Sequence, residues 1–212
     1  MRPTPESFWE HLDTPLRGGA RLVLLALIVP LLLSFLFPLW QISMEAPQYP
    51  DGLRMDIYAH RLVGGNDGHD VQEINVLNHY IGMRTITREE LRDLDWIPFA
   101  LIAMALLSLR AALLGNVRTI IDLSMVAAYV SAIAFGRFVW MLWEFGHGLD
   151  PKAPVTVEPF MPVVLGTKKI ANFTTHSMPQ LGSVLMGAFT LGVWALTLLY
   201  LWRGRHAARA AA

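Results

Sequence analysis

The chain contains no cysteine, and this absence excludes several kinds of site at once. Without thiolates there is no disulfide, no cysteine-ligated zinc site, no iron–sulfur cluster and no cysteine nucleophile. A copper centre of the thiolate type is excluded for the same reason. Any metal bound by this protein must therefore be held by His, Met, Asp, Glu or backbone oxygen.

Charged side chains are also scarce. They make up 16% of the 212 residues, whereas 54% are hydrophobic, and a typical soluble domain carries about 25% charged residues. The net charge is zero, so nothing indicates nucleic acid as a partner. The sequence also lacks a Gly-x-Ser-x-Gly elbow, a phosphate-binding loop and a dinucleotide fingerprint. This composition indicates a membrane protein, with the lipid bilayer as its first partner.

Four long apolar runs are each sufficient to cross a bilayer as a helix. The first, 22–44, contains no charged residue and is too long for a signal peptide. We predict a mainly α membrane protein, in which four transmembrane helices carry a small β-containing extracytoplasmic cap made by two outer loops. The predicted segments are an N-terminal segment 1–20, spans 21–44, 96–115, 120–143 and 183–202, outer loops 45–95 (with a hairpin) and 146–182, and a tail 203–212.

The positions of Lys and Arg near the span ends predict the orientation. The two termini, the short connection between the second and third spans and the adjoining ends of the spans carry eight basic residues against four acidic ones. The remainder of the chain, chiefly the two long loops, contains the other nine basic residues and thirteen acidic ones. We therefore predict that both termini are cytoplasmic and both loops are outside. In a bacterium, the protein would be a multi-pass protein of the inner membrane with periplasmic loops.

A reporter fused after Ala212 tests this orientation. We expect activity from a reporter that works only in the cytoplasm, because the Arg-rich tail and the "GNVRT" connection resist translocation. A matched fusion within loop 146–182 should give the opposite result. Activity at Ala212 only from an extracytoplasmic reporter would overturn the topology and move the histidines into the cytosol.

The first outer loop begins with a strand pattern. Apolar residues alternate with polar ones from 53 to 59, which is the period of a half-buried strand. The following "GGNDG" is a strong turn signal, and 71–76 is predicted as the return strand of a β-hairpin. Helical structure in 70–76 would contradict this prediction.

Other local patterns complete the two loops. Thr87 and Glu90 have capping-box spacing and predict a helix that starts there and continues into the second span. In the second loop, "VTVEPFMPVV" and "KKIANFTTH" are predicted to be extended, and the two loops are expected to pair into one cap. The N-terminal "PESFWEHLD" is predicted as a short amphipathic helix at the inner interface.

Five of the seven histidines lie in or beside the outer loops. Imidazole and thioether donors without thiolate suit copper, particularly cuprous copper in an oxidising compartment. In "INVLNHYIGM", His79 and Met83 are four residues apart, which on a helix places them on one face. If the loops fold together, this pair would face the His and Met of "HSM". The candidate copper ligands are His79, Met83, His176, Met178 and His60, and the alternative for each is packing or solvation.

The third span carries Arg137, which is costly in a bilayer unless it is paired or hydrated. Beyond it, Glu144 and His147 share a helical face, and Glu-x-x-His is a spacing found at metal sites in helical bundles. Both are therefore further metal candidates. The favoured alternative is that Arg137 meets an acid of the outer loops near the interface, with Trp140 and Trp143 as belt aromatics.

Three stretches carry a resemblance: "EAPQYPDGLRM", "LNHYIGM" and "LGTKKIANFTTHSMPQLG". Together they resemble a group of bacterial four-helix membrane proteins associated with respiratory and copper-handling genes, including neighbourhoods of nitrous-oxide reductase. The similarity covers both outer loops and the flanking spans. It implies an outward-facing accessory role near copper enzymes, and it assigns no catalytic residue.

Two functions from different classes follow. The first is an accessory protein whose outer cap binds copper transiently and passes it to a respiratory membrane enzyme or a periplasmic metalloenzyme. Sparse neutral ligands suit such transfer, because a site that must release its metal is not a closed, highly charged cage. The second is a structural or electron-transfer subunit of a larger membrane complex. An oxidase or hydroxylase is less favoured, because no complete first shell with an open position is evident.

Overall fold

The computed structural model describes residues 8–170 and 173–211. Within these ranges the chain forms helices and one antiparallel sheet. The helices are α1 (Phe8–Leu12), α2 (Gly18–Leu33), α3 (His69–Tyr80), α4 (Asp93–Leu114), α5 (Val117–His147) and α6 (Leu181–Ala211). The strands are β1 (Trp40–Ala46), β2 (Tyr49–Ile57), β3 (Leu62–Gly64), β4 (Gly166–Ile170) and β5 (Phe173–Pro179).

In the described ranges, four helices are long and apolar enough to cross a membrane: Gly18–Leu36, Asp93–Leu114, Val117–His147 and Leu181–His206. Each coincides with one of the predicted spans, although the first is shorter than predicted. Helix α2 ends at Leu33, a 3-10 turn follows to Leu36, and β1 begins at Trp40. Pro38 separates them, since proline has no N–H to continue the helical ladder. The uncharged residues 40–44 therefore belong to a strand.

The described chain divides into two compact units. The first comprises residues 8–33, 99–131 and 185–211, all of them helices and their connections. Its interior is apolar and includes fully buried Leu24, Ile120 and Phe189. Buried hydroxyl groups join the helices, because Ser108 donates to the Leu24 carbonyl at 3.2 Å and Thr197 donates to the Ile120 carbonyl at 3.2 Å. Such bonds satisfy polar groups where water is absent.

The second unit comprises residues 34–98 and 132–184 and contains the sheet. The strand order is β3-β2-β1-β5-β4, and every neighbouring pair is antiparallel. Strand β1 is central and pairs with β2 of the first loop and with β5 of the second loop. The two loops therefore belong to one small sheet, as predicted, but they are joined through β1, most of which was predicted as the end of the first span.

One face of this sheet is apolar and the other is polar. Directly paired residues of an antiparallel sheet share a face, and successive residues alternate. The row Leu53–Met44–Thr175 belongs to the apolar face, on which Ile74 and Leu77 of α3 pack. The neighbouring row belongs to the polar face, and its members are Arg54, Ser43, His176 and Thr167.

The predicted hairpin between 53–59 and 71–76 is wrong in its second half. The first strand exists as part of β2, but its hairpin partner is β1, and residues 71–76 lie inside α3. Val71, Ile74 and Leu77 recur every third position and pack together, so they form one side of a helix, whereas Val76 is exposed. "NDG" supplies a local reversal with positive φ values, as predicted for a turn, but it leads into a helix.

The predicted capping box is also wrong. Residues 88–90 form a turn, and α4 starts at Asp93, six residues after Thr87. The pKa of the Glu89 carboxyl is lowered by a hydrogen bond from the Glu89 backbone and by a second one from the Thr87 side chain. Thr87 therefore forms a hydrogen bond with Glu89.

Three smaller predictions have mixed outcomes. "KKIANFTTH" is extended as β4 and β5, except that residues 171–172 lie outside the described ranges. "VTVEPFMPVV", at 155–164, forms no strand. Of the N-terminal helix, Phe8–Leu12 is helical, and residues 5–7 lie outside the description.

Candidate functional site

The segment "LNHYIGM" closes helix α3 and holds part of the second loop. The N–H of Gly82 donates to the His79 carbonyl at 3.2 Å, and the N–H of Met83 donates to the Asn78 carbonyl at 2.9 Å. Gly82 has φ +77. These are the features of a Schellman motif, in which glycine adopts the left-handed conformation without a steric penalty. The glycine therefore stops the helix directly after Tyr80.

The same segment binds the second loop through its backbone. The Tyr80 carbonyl accepts the N–H of Val155 at 2.9 Å, and the Gly82 carbonyl accepts the N–H of Asp150 at 2.8 Å. The expected contact between the two loops is therefore confirmed at this segment. The neighbouring acid, Glu144, binds Arg84 at 2.8 Å, so its partner is an arginine two residues beyond the glycine.

His79 and Met83 do not share a helical face. The helix ends between them, so the spacing of four no longer places both side chains on one side. His79 is exposed on the last turn. Met83 instead lines a cavity of about 110 Å³ against the apolar face of the sheet, together with Met44 and Thr175.

His176 and Met178 lie on the polar face of the sheet. They are two residues apart on β5 and so share a face, whereas Thr175 between them belongs to the cavity side. The His176 Nδ1 forms a 2.7 Å hydrogen bond with Thr167 Oγ1, and its Nε2 is 3.8 Å from Glu45 Oε1. The sheet therefore separates this pair from Met83, and the four main copper candidates do not form one site.

The remaining candidates have other partners. His60 is exposed, and its ring lies 6.3 Å from that of Tyr58. His147 stacks on Trp143 with the ring centroids 4.5 Å apart, and its Nδ1 is 2.9 Å from the Trp143 carbonyl oxygen. In the described part of the chain there is no group of three or more His, Asp or Glu that could hold a metal ion.

Arg137 has the acidic partner that its position requires. Its guanidinium binds the carboxylate of Asp93, the first residue of α4, and this carboxylate also accepts the Trp96 indole N–H at 2.6 Å. The predicted pairing with an acid of the outer loops is confirmed, and this acid belongs to the first loop. The sequence analysis did not predict Asp93 as this partner. An acid just before the start of a predicted span was a signal that could have indicated it.

The polar face also holds charges that the sequence did not mark. Arg54 pairs with the buried Asp56, and this hydrogen bond raises the pKa of the guanidinium. Gln41 donates to the same carboxylate at 2.8 Å. Glu45 and Thr167, which flank His176, were likewise missed, since only the strand register brings them there.

Comparison with known proteins does not indicate a function. No family model matches the chain, and neither the curated proteins nor the solved structures show a significant match. The class that the fold defines is a chain with four helices apolar enough to span a membrane and a second unit built on a five-stranded antiparallel sheet.

Proposed function

We propose that this chain is an accessory protein of the bacterial inner membrane. Its four apolar helices lie in the bilayer, both termini are cytoplasmic, and the sheet lies on the periplasmic side. The apolar helices and the bias of Lys and Arg support this arrangement. The ion pair between Arg137 and Asp93 supports it too, because it neutralises the one cation inside the third predicted span.

We further propose that the polar face of the sheet binds copper transiently, through His176 and Met178 with Glu45 beside them. The observation that carries this proposal is the hydrogen bond between Thr167 and the His176 ring. When Nδ1 donates to Thr167, Nε2 carries the lone pair that binds a metal, and the ring is held in place. A strand provides the matching geometry, because His and Met two residues apart project to the same side.

The chemistry of these donors suits a metal in transit. Imidazole and thioether bind cuprous copper, and a single carboxylate adds little charge. Met178 is 47% exposed and Glu45 is exposed, so a partner protein has access to the metal. The proposed recipient, a respiratory or periplasmic copper enzyme, rests on the resemblance of the two loops to proteins associated with such genes.

A cuprous copper titration against a competing chelator tests this proposal. We expect His176→Ala and Met178→Ala each to weaken binding about tenfold, because each removes one of few ligands. Two matched controls are His79→Ala and Met83→Leu, which change residues that the sequence had also predicted as copper ligands. They should leave the affinity unchanged, since neither side chain lies on the polar face.

Equal losses of copper affinity in His79→Ala and His176→Ala would show that a conformational change brings these two histidines together. The assigned site would then be wrong. An absence of copper binding in the purified full chain would remove the transfer function altogether. The second candidate would then replace it.

The second candidate is a structural or electron-transfer subunit of a larger membrane complex. It is favoured by the exposed His79 and Tyr80, which the backbone bonds to the second loop hold in a fixed position. A replacement such as Tyr80→Glu should release the chain from the assembly in native electrophoresis while copper binding stays intact. If the natural chain and Tyr80→Glu both migrate as free chains, this candidate function is ruled out.

A further inference from the structure

The second unit contains a cavity of about 110 Å³ between the apolar face of the sheet, α3 and the end of α5. Among the described residues that line it, only Asn78 and Thr175 are polar and none is charged. Representative apolar side chains of the lining are Ile42, Met55, Leu77, Met83, Phe145 and Val163. An uncharged molecule therefore fits this lining, whereas an ion would lose its hydration without compensation.

Asn78 is the unusual member of this lining. It is 3% exposed, and its side-chain Nδ2 is the one buried side-chain nitrogen or oxygen in the described ranges without a hydrogen-bond partner. A buried donor in this state carries a desolvation cost, and folded proteins satisfy nearly all such groups. The backbone at Asn78 is held in place, because its carbonyl accepts the N–H of Met83 at the helix end.

The volume of the cavity matches about one ring. An engineered apolar cavity of about 150 Å³ in another protein binds benzene, and this cavity is somewhat smaller. We propose that the cavity is a binding site for a small uncharged molecule, a single ring bearing a carbonyl oxygen, which accepts a hydrogen bond from Asn78 Nδ2. The ring would pack on the surrounding aliphatic side chains. This inference is independent of the copper proposal, because the two sites lie on opposite faces of the sheet.

Two probes of the same shape test the proposal on the full chain in detergent. Cyclohexanone carries the carbonyl acceptor, and methylenecyclohexane replaces it with a methylene group. Methyl-labelled methionine gives the signal, because Met55 and Met83 line the cavity and Met178 lies on the other face. We expect both probes to shift the Met55 and Met83 signals and to leave Met178 unchanged. Cyclohexanone should bind about tenfold more tightly, the effect of one net hydrogen bond.

Two variants separate recognition from simple filling. Asn78→Leu keeps the number and branching of the side-chain heavy atoms and removes the donor, so the two probes should then bind equally. Val163→Phe places a larger side chain in the lining and should abolish binding of both probes. If either variant does not fold, the comparison of the two probes on the natural chain still decides.

Equal affinity of both probes for the natural chain would overturn the role of Asn78, since a water molecule would then be its partner. Probe-induced shifts that are absent from Met55 and Met83 would overturn the site itself. Persistence of the tenfold preference in Asn78→Leu would likewise contradict the proposal.

Discussion

Gly146→Ala is expected to destabilise the sheet-containing unit by about 2–3 kcal/mol. A Cβ at this position would overlap the carbonyl oxygen of Phe160 and would lie 2.7 Å from Cδ of Pro162. The two backbones are also joined, since the N–H of Phe160 donates to the Gly146 carbonyl at 3.0 Å. Neither backbone can retreat without losing that bond. The gain in helix propensity from alanine, about 1 kcal/mol, is smaller than this cost.

The same helix supplies the matched control. Gly136 also lies in α5, and a Cβ built there has nothing within 4 Å. Gly136→Ala should therefore be neutral or stabilising by up to about 1 kcal/mol. Unfolding of both variants by denaturing detergent, followed by tryptophan fluorescence, measures the difference. Equal stabilities would show that the end of α5 and residue 160 are not in contact.

Asp70→Asn is expected to destabilise the same unit by about 2 kcal/mol. Asp70 is buried at the start of α3, and its two carboxylate oxygens accept from different donors. One accepts the backbone N–H of Arg54 at 2.8 Å, and the other accepts the side-chain amide of Asn66 at 2.7 Å. An asparagine has only one acceptor oxygen, so its NH₂ would face one of these two donors. One hydrogen bond would be lost and a donor would be left buried.

Asp67→Asn is the control for Asp70→Asn, since it removes the same charge three residues away. Asp67 is exposed and has φ +56, a conformation that asparagine tolerates as well as aspartate does. We expect a change within about 0.5 kcal/mol. Hydrogen exchange of the α3 amides should rise only in Asp70→Asn. A similar rise in both variants would mean that net charge, rather than the hydrogen bonds of Asp70, stabilises the helix start.

The positions of the helices followed from the sequence because they depend on local composition. Apolar runs of sufficient length predicted all four apolar helices, and Arg137 predicted an acidic partner within reach. Alternation from 53 to 59 located β2. The segment 71–76 was misread, because a short run with Val71 and Ile74 suits a strand as well as a helix. The burial of Ile74 against the sheet decided that it is helical.

The sequence by itself determined the residue types available for chemistry: no thiolates, and a group of His and Met donors in two loops. Only the tertiary structure decided which of them meet. Pairing of β1 with β5 sets His176 beside Ser43 and places Thr175 on the other side, and a shift of one residue would exchange the faces. The Schellman motif ends α3 before Met83, so spacing of four no longer implies a shared face. The strand register depends on contacts between residues far apart in the chain, which no local pattern encodes. The end of α3 is local by contrast, because Gly82 stops the helix through hydrogen bonds among residues 78–83.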